Sequence, residues 1–359
     1  MLTQISQEIK SMLSKFSAED NIIFNNKVIK IDKDNFQQIE TESNENKTIA
    51  FIDGGQAEII STGNFCLSFI RVGAVFFYGN EKIKQIKKEF YLFTKSKYLN
   101  EDLYYESKIF GNKIINEEDL FISSNDSSIK TGSERAPISK ITNMARRFAE
   151  LSLAKEIEDE VDFIILDGTL EKTFKNEDKY LSELNETVSA LAKSSSLFTT
   201  SGNSPVVLLN KMGLEGCWSY FLENKLENPK MDYPTEQTPE YSPIFQNGFS
   251  GHSSLNTTTS CEALKPARNK TYFVKLNSKA KHVFRFEGYK KVFPYLVNNC
   301  NDALFLGYPY GLIFVDKIAR VTNSEKNSLK MNILLRKDNQ EIAEYLSTNN
   351  AHDILDNLS

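Results

Sequence analysis

The chain has 359 residues, a formal net charge of −5 and a hydrophobic content of 40%, which suits one large folded domain or two ordinary ones. It contains no apolar run of the ~20 residues a membrane span needs, and residues 1–20 are amphipathic and charged without a signal-peptide core, so a cytoplasmic location and no membrane partner are expected. The acidic balance leaves any nucleic-acid partner to be held by local basic patches and metal ions, and Cys66, Cys217, Cys261 and Cys300 form no CxxC pair that would indicate a zinc site or a disulfide framework.

Leu2, Ile5, Ile9, Met12, Leu13 and Phe16 recur at helical spacing and predict an amphipathic first helix, packed on the body or on a partner. The polar stretch 32–47 reads as a connection into the first core strand, 49–52, which closes on Asp53-Gly54-Gly55. Residues 56–62 and 65–78, broken at Gly63-Asn64, predict antiparallel strands joined by a tight turn. The basic run 82–88 reads as a solvated strand edge or helix face. Residues 123–139, rich in Ser, Asn, Asp and Gly, predict a mobile loop.

Residues 144–160 predict a helix with Glu150 on the same face as Leu153, Ala154 and Ile157. The apolar run 163–166 then reads as a strand buried on both faces, ending in Asp167-Gly168. Further on, the pattern predicts a helix over about 175–192, a Lys193-Ser194-Ser195-Ser196 segment, a helix near 205–212 and a short strand at 218–222. Residues 223–269, with five prolines and few apolar side chains, read as an excursion from the core. Strands follow at 272–276 and 283–287, and the chain from Tyr289 onward reads as largely helical, with one helix over 312–322.

Burying an unpaired carboxylate costs several kcal/mol, so Glu150 needs a proton, a basic partner or a metal ion. Taken alone, it is met by Arg146 or Arg147, one turn earlier. Asp53 and Asp167, each at the end of a buried strand, change that balance: three inward carboxylates exceed what two arginines can satisfy. Such a set can hold one or two divalent cations at a sheet edge, with open positions for water and phosphate, and can hydrolyse a phosphodiester. Each Asp-Gly by itself is equally a turn cap.

Two other enzyme classes share fragments of this pattern. Leu166-Asp167-Gly168-Thr169 imitates half of the haloacid dehalogenase DxDGT string, but Ile165 stands at the nucleophile position. Asp53 could open an actin-like phosphate turn, yet no glycine-rich adenosine segment or Walker P-loop follows. His252, His282 and His352 are too scattered for a histidine metal site, and nothing supports a serine or cysteine nucleophile.

FIDGG at 51–55, RRFAE at 146–150, LDGTL at 166–170, KSSSL at 193–197 and GYPYGLIFVDKIARVTN at 307–323 resemble the NurA family of archaeal and bacterial nucleases, over roughly 49–322. The resemblance implies an α/β, RNase H-like (Piwi-like) core, with a mixed sheet flanked by helices and a helical C-terminal region. The corresponding divisions are a helix and lead-in at 1–47, a nuclease domain at 48–323 carrying the polar insertion, and a helical tail at 324–359. It also implies a homodimer and a Mn²⁺-dependent (or Mg²⁺-dependent) deoxyribonuclease working 5′ to 3′ on DNA ends, with single-strand endonuclease activity as an additional capability, in double-strand-break repair with a HerA-type hexameric ATPase.

By position, Asp53, Glu150 and Asp167 would be the metal ligands, with Lys193 and Arg146 as basic groups facing the substrate. Tyr308 would position phosphate or the attacking water, though beside Pro309 it can equally be an ordinary helix-start aromatic. The family histidine eight residues after that tyrosine is Asp316 here. That departure leaves two readings: an additional metal ligand, or a catalytically weak NurA-like subunit that binds DNA or the ATPase ring.

Overall fold

The computed structural model describes residues 1–14, 20–24, 27–40, 47–222, 270–303, 305–336 and 340–349. In chain order the elements are α1 (Leu2–Ser14), β1 (Asn21–Phe24), β2 (Lys27–Lys30), β3 (Phe36–Gln38), β4 (Thr48–Ser61), β5 (Phe65–Tyr78), β6 (Glu81–Leu99), β7 (Asp102–Gly111) and β8 (Ile122–Ser123). They continue with α2 (Lys140–Ile157), β9 (Phe163–Asp167), α3 (Glu177–Glu183), β10 (Val188–Ala192), β11 (Phe198–Thr199), α4 (Pro205–Met212) and β12 (Trp218–Leu222). After the excursion come β13 (Thr271–Lys275), β14 (Phe284–Glu287), α5 (Phe293–Asn298), α6 (Tyr310–Ala319), α7 (Asn323–Leu334) and α8 (Gln340–Asn349). The excursion 223–269, with His252 and Cys261, and the terminal stretch holding His352 lie outside the described residues.

The sheet is built outward from β4, whose order with its neighbours is β6-β5-β4-β9-β10. β4, β5 and β6 are long antiparallel strands, while β9 pairs parallel to β4 and β10 parallel to β9. α2 makes the crossover from the antiparallel meander to β9. Three antiparallel strands extended by two parallel ones is the RNase H-like arrangement. β14, β13, β12 and β3 prolong the sheet beyond β10, β7 and β8 prolong it beyond β6, and β11-β1-β2 form a small separate sheet.

Side chains alternate across β4, so each face has its own core. Ala50 and Ile52 meet Ala145, Phe148 and Ala149 of α2, whereas Ile49 and Phe51 belong with Leu312 and Val315 of α6. Covered on both sides, β5 can be apolar almost throughout (FCLSFIRVGAVFFY). Each large side chain removed completely from water, such as Phe51, Phe148 or Phe76, contributes about 1.5–3 kcal/mol. α7 and α8 cover the far end of β4 and β5, where Ile59, Ile60 and Phe69 meet Leu346 and Leu329.

Several elements depart from the sequence reading. β4 does not close at Asp53-Gly54-Gly55 but runs on to Ser61, with Asp53 opposite Gly73 and Gly55 opposite Arg71. The helix expected over 175–192 stops at Glu183: the Thr187 N–H donates to Asn185 Oδ1 at 2.9 Å, turning the chain, and Val188–Ala192 is a strand buried between β9 and β14. Residues 123–139 are pinned, not loose. Ile129, Ala136 and Ile138 are buried in the core, and the Ala136 N–H donates to the Ser124 carbonyl at 2.8 Å. The helix expected over 312–322 ends at Ala319, and Thr322 caps α7 by accepting from the Glu325 N–H at 3.2 Å. Leu2, Ile5 and Ile9 on α1 are 76%, 48% and 50% exposed, so this face does not pack on the described body. The run 82–88 is indeed a solvated edge, because β7 pairs with β6 only from Phe90 onward.

Candidate metal centre

The ladder between β4 and β9 runs as far as Ile52 opposite Leu166. One residue further on each strand stand Asp53 and Asp167, both on the α6 side by the alternation that places Phe51 and Ile165 there. Beyond Asp167 the β9 edge stops, leaving that side of β4 open at Gly54. Into this gap comes Glu150, buried on α2 at 3% exposure. A Cβ on Gly54 would lie 2.5 Å from Glu150 Oε1 and 2.8 Å from Arg146 Cγ. On the next residue, a Cβ would lie 2.0 Å from the Ala319 carbonyl oxygen at the end of α6. The paired glycines therefore serve close approach by α2 and α6, which is why the strand continues through them.

The three carboxylates feel one another. Burial pushes Asp53 up to about 7, and the charges of Glu150 and Asp167 add to it, against the opposing Gly54 N–H and Arg146. Glu150 is raised as well, by burial first and then by Asp167, in opposition to Arg146 and Arg147. Their partners differ in kind. Glu150 Oε1 has Arg146 Nη1 at 2.5 Å, Asp167 Oδ2 has Lys193 Nζ at 2.6 Å, and Asp53 Oδ1 accepts from the neighbouring Gly54 N–H at 2.7 Å. Arg147 acts on Glu150 through its charge, lying 4.0 Å from Oε2, while its hydrogen bonds go to Glu177 Oε1 at 2.8 Å and to the Thr169 carbonyl at 2.6 Å.

Tyr308, on the loop entering α6, has its hydroxyl buried with no hydrogen-bond partner among the described residues. Burial, then the charges of Asp167, Asp53 and Asp316, push its phenol well above the usual range. Lys193 Nζ lies 5.5 Å from the centre of the same ring. Burial works against that ammonium, but the hydrogen bond to Asp167 and the charges of Asp167, Asp53 and Asp316 outweigh it and raise its pKa. Asp316 itself is turned to Arg320 Nη2 at 2.6 Å, one turn along α6. Asp53, Glu150, Asp167, Lys193, Arg146, Tyr308 and Asp316 are thus gathered where β9 ends beside β4 in the middle of the sheet, although they come from positions 53 to 316.

Sequence reasoning missed the frame around them. Glu177, fully buried at the start of α3, accepts from the Thr173 and Phe174 N–H groups at 2.7 and 2.8 Å. Glu287 of β14 accepts from the Leu170 N–H at 2.7 Å. Together with Arg147 they hold the loop leaving Asp167. Lone acidic residues at helix starts or in strands carry no local signal of such long-range pairing.

Among the described residues, no group of three His, Cys, Asp or Glu side chains is closed tightly enough to grip a metal ion. The reason is visible in the pairings: Glu150 is turned to Arg146 and Asp167 to Lys193. The donor chemistry nevertheless fits a hard divalent cation, since all three groups are carboxylate oxygens, mutually repelling, and the buried Tyr308 hydroxyl beside them is unsatisfied.

Residues 47–209 match the NurA domain. No curated protein sequence matches the chain. Among solved structures, the NurA nuclease from Sulfolobus solfataricus is similar at 13% identity and TM-score 0.49, over 93% of this chain and 94% of that one. A second NurA structure is similar at 10% identity and TM-score 0.45, over 84% and 92%. Endonuclease V of Ciona intestinalis, bound to a DNA containing an inosine followed by a ribo-adenosine, is similar at 13% identity and TM-score 0.35, over 76% and 84%. The matched stretch, 47–209, runs from β4 into α4 and contains Asp53, Glu150 and Asp167, so this part of the chain carries a NurA domain.

Proposed function

We propose that this chain is a metal-dependent DNA nuclease acting at DNA ends, with Asp53, Glu150 and Asp167 as the cation-holding carboxylates. The observation that carries this reading is Asp53: a half-buried carboxylate facing two others on a NurA domain, with a backbone amide as its hydrogen-bond donor among the described residues. When bound there, Mn²⁺ or Mg²⁺ would neutralise the three carboxylates and act as a Lewis acid toward water and phosphate. Arg146, tied to Glu150 and to the Gly54 carbonyl at 3.2 Å, keeps Glu150 at the gap in the sheet. The Tyr308 hydroxyl, buried and unpaired, donates to a phosphate oxygen of the DNA. The Lys193 ammonium stabilises the charge that grows on phosphate. In this reading the enzyme works 5′ to 3′ in double-strand-break repair in the cytoplasm, as a homodimer with a HerA-type hexameric ATPase.

The test is digestion of end-labelled DNA in Mn²⁺ by the wild type beside Asp53→Ala and Asp167→Ala. Loss of digestion in both variants is expected; equal digestion by all three would mean a contaminant and end the site assignment. The second reading, a weakly catalytic subunit that binds DNA or the ring, draws on Asp316, which is paired with Arg320 where the family motif has histidine. Asp316→His then raises digestion, and an unchanged rate removes that argument.

A further inference from the structure

Arg146 and Lys193 both neutralise the carboxylates, but they are held differently. The Arg146 guanidinium has two acceptors on two elements, Glu150 Oε1 at 2.5 Å and the Gly54 carbonyl at 3.2 Å. Lys193 follows the last residue of β10, its side chain is 50% exposed, and its ammonium makes one short ionic contact, to Asp167 Oδ2 at 2.6 Å. It also has somewhere else to go. The Tyr308 ring centre is 5.5 Å from Nζ, and the charge of Asp316 already acts on it from the α6 side.

An ammonium is a compact charge on a flexible stem that moves readily between acceptors. The oxygen it occupies is one that a divalent cation at Asp53 and Asp167 would need. The two positive charges repel, so occupancy by one weakens the other. We infer that Lys193 is an exchangeable internal counterion. It screens Asp167 while no cation is bound, and a divalent cation displaces it over the Tyr308 ring toward Asp316, where it meets the incoming phosphate. This rests on the metal-dependent nuclease reading and adds to it how the site is regulated: the cation must compete with a residue of the chain, and its arrival frees the group that receives DNA.

The experiment is Mn²⁺ binding to the full chain without DNA, measured by titration calorimetry and by the electron paramagnetic resonance signal of free Mn²⁺. Lys193→Met keeps the apolar stem beside Tyr308 and removes the charge. It is expected to bind Mn²⁺ about fivefold more tightly than wild type, the factor that matches about 1 kcal/mol for a half-exposed ion pair. Lys193→Arg, which keeps the charge, stays within about twofold of wild type on the same argument. Binding by Lys193→Met equal to or weaker than wild type overturns the exchange. Asp53→Asn separates the two possible failures. If wild type binds Mn²⁺ and Asp53→Asn does not, while Lys193→Met equals wild type, the exchange alone is wrong. If wild type binds no Mn²⁺, the metal reading and the exchange fall together.

Discussion

Alanine at Gly54 tests how Glu150 gains access to the other two carboxylates. The added methyl would lie 2.5 Å from Glu150 Oε1, 2.8 Å from Arg146 Cγ and 3.1 Å from Glu150 Cγ, with no backbone atom among these nearest neighbours. Ordinary contact needs about 3.5–4 Å between carbon atoms, so both side chains must swing by roughly 1 Å. Overpacking of this kind costs about 1–3 kcal/mol, and the fold should survive it. The site should not fare as well, because a displacement of about 1 Å in a catalytic group lowers rates on the order of 100-fold. Gly55→Ala is the contrasting variant: its methyl would lie 2.0 Å from the Ala319 carbonyl oxygen and 2.7 Å from the carbonyl carbon, backbone atoms that cannot rotate away. Lifting α6 from β4 should then cost about 3 kcal/mol or more, at the upper end of overpacking. Urea unfolding followed by the fluorescence of Trp218, combined with Mn²⁺-dependent digestion of end-labelled DNA, measures both effects. Wild-type digestion by Gly54→Ala, or a Gly54→Ala protein less stable than Gly55→Ala, would refute the reasoning.

Because Asp53 is pushed up to about 7 in the folded chain, from 3.8, the folded state holds a proton between about pH 4 and 7 that the unfolded chain has lost. Cation-free stability therefore falls as pH rises through that window, and the full cost remains above it. Asp53→Asn should be more stable than wild type at pH 8 by on the order of 1–2 kcal/mol, after allowance for screening, with no advantage below pH 4; parallel stability profiles for the two proteins would contradict this. Arg71, 8% exposed and opposite Gly55, donates to Glu89 Oε1 at 2.6 Å, to the Arg320 carbonyl at 3.1 Å and to Glu325 of α7. Arg71→Ala should destabilise by about 2–3 kcal/mol, below the usual loss for a fully buried pair because both glutamates can rehydrate. Hydrogen exchange should then rise first in α7 and α8, and unchanged protection there would show that Arg71 does not anchor them.

Strand and helix positions were legible where one periodicity ruled. The apolar run closing on Asp167 became β9, Pro205–Met212 became α4, and the alternation after Gly63-Asn64 became β5. What could not be read was set by distant contacts. Gly54-Gly55 looks like a strand end, yet α2 and α6 approach from opposite sides and need the missing side chains there. Val188-Ser189-Ala190-Leu191-Ala192 looks like the continuation of a helix, but its position between β9 and β14 makes it a strand. The carboxylates of the candidate site were each legible, Glu150 from its helical face and the two aspartates from the apolar runs before them. One partner was legible too, since Arg146 meets Glu150 from one turn earlier, but nothing in the sequence ties Lys193 to Asp167 until the fold sets its ammonium there. Arg147 reads as a neighbour of Glu150, but Glu177, thirty residues on, claims it.

The central claim is that Asp53, Glu150 and Asp167 form a divalent-cation site once their internal cations give way. Anomalous diffraction from crystals grown with Mn²⁺ tests it most directly. The account predicts an anomalous peak in contact with the Asp53 and Asp167 carboxylates, at the gap where Glu150 enters, with the Lys193 ammonium no longer on Asp167 Oδ2. A Mn²⁺ peak bound elsewhere, with the Lys193–Asp167 and Arg146–Glu150 pairs intact, would contradict it.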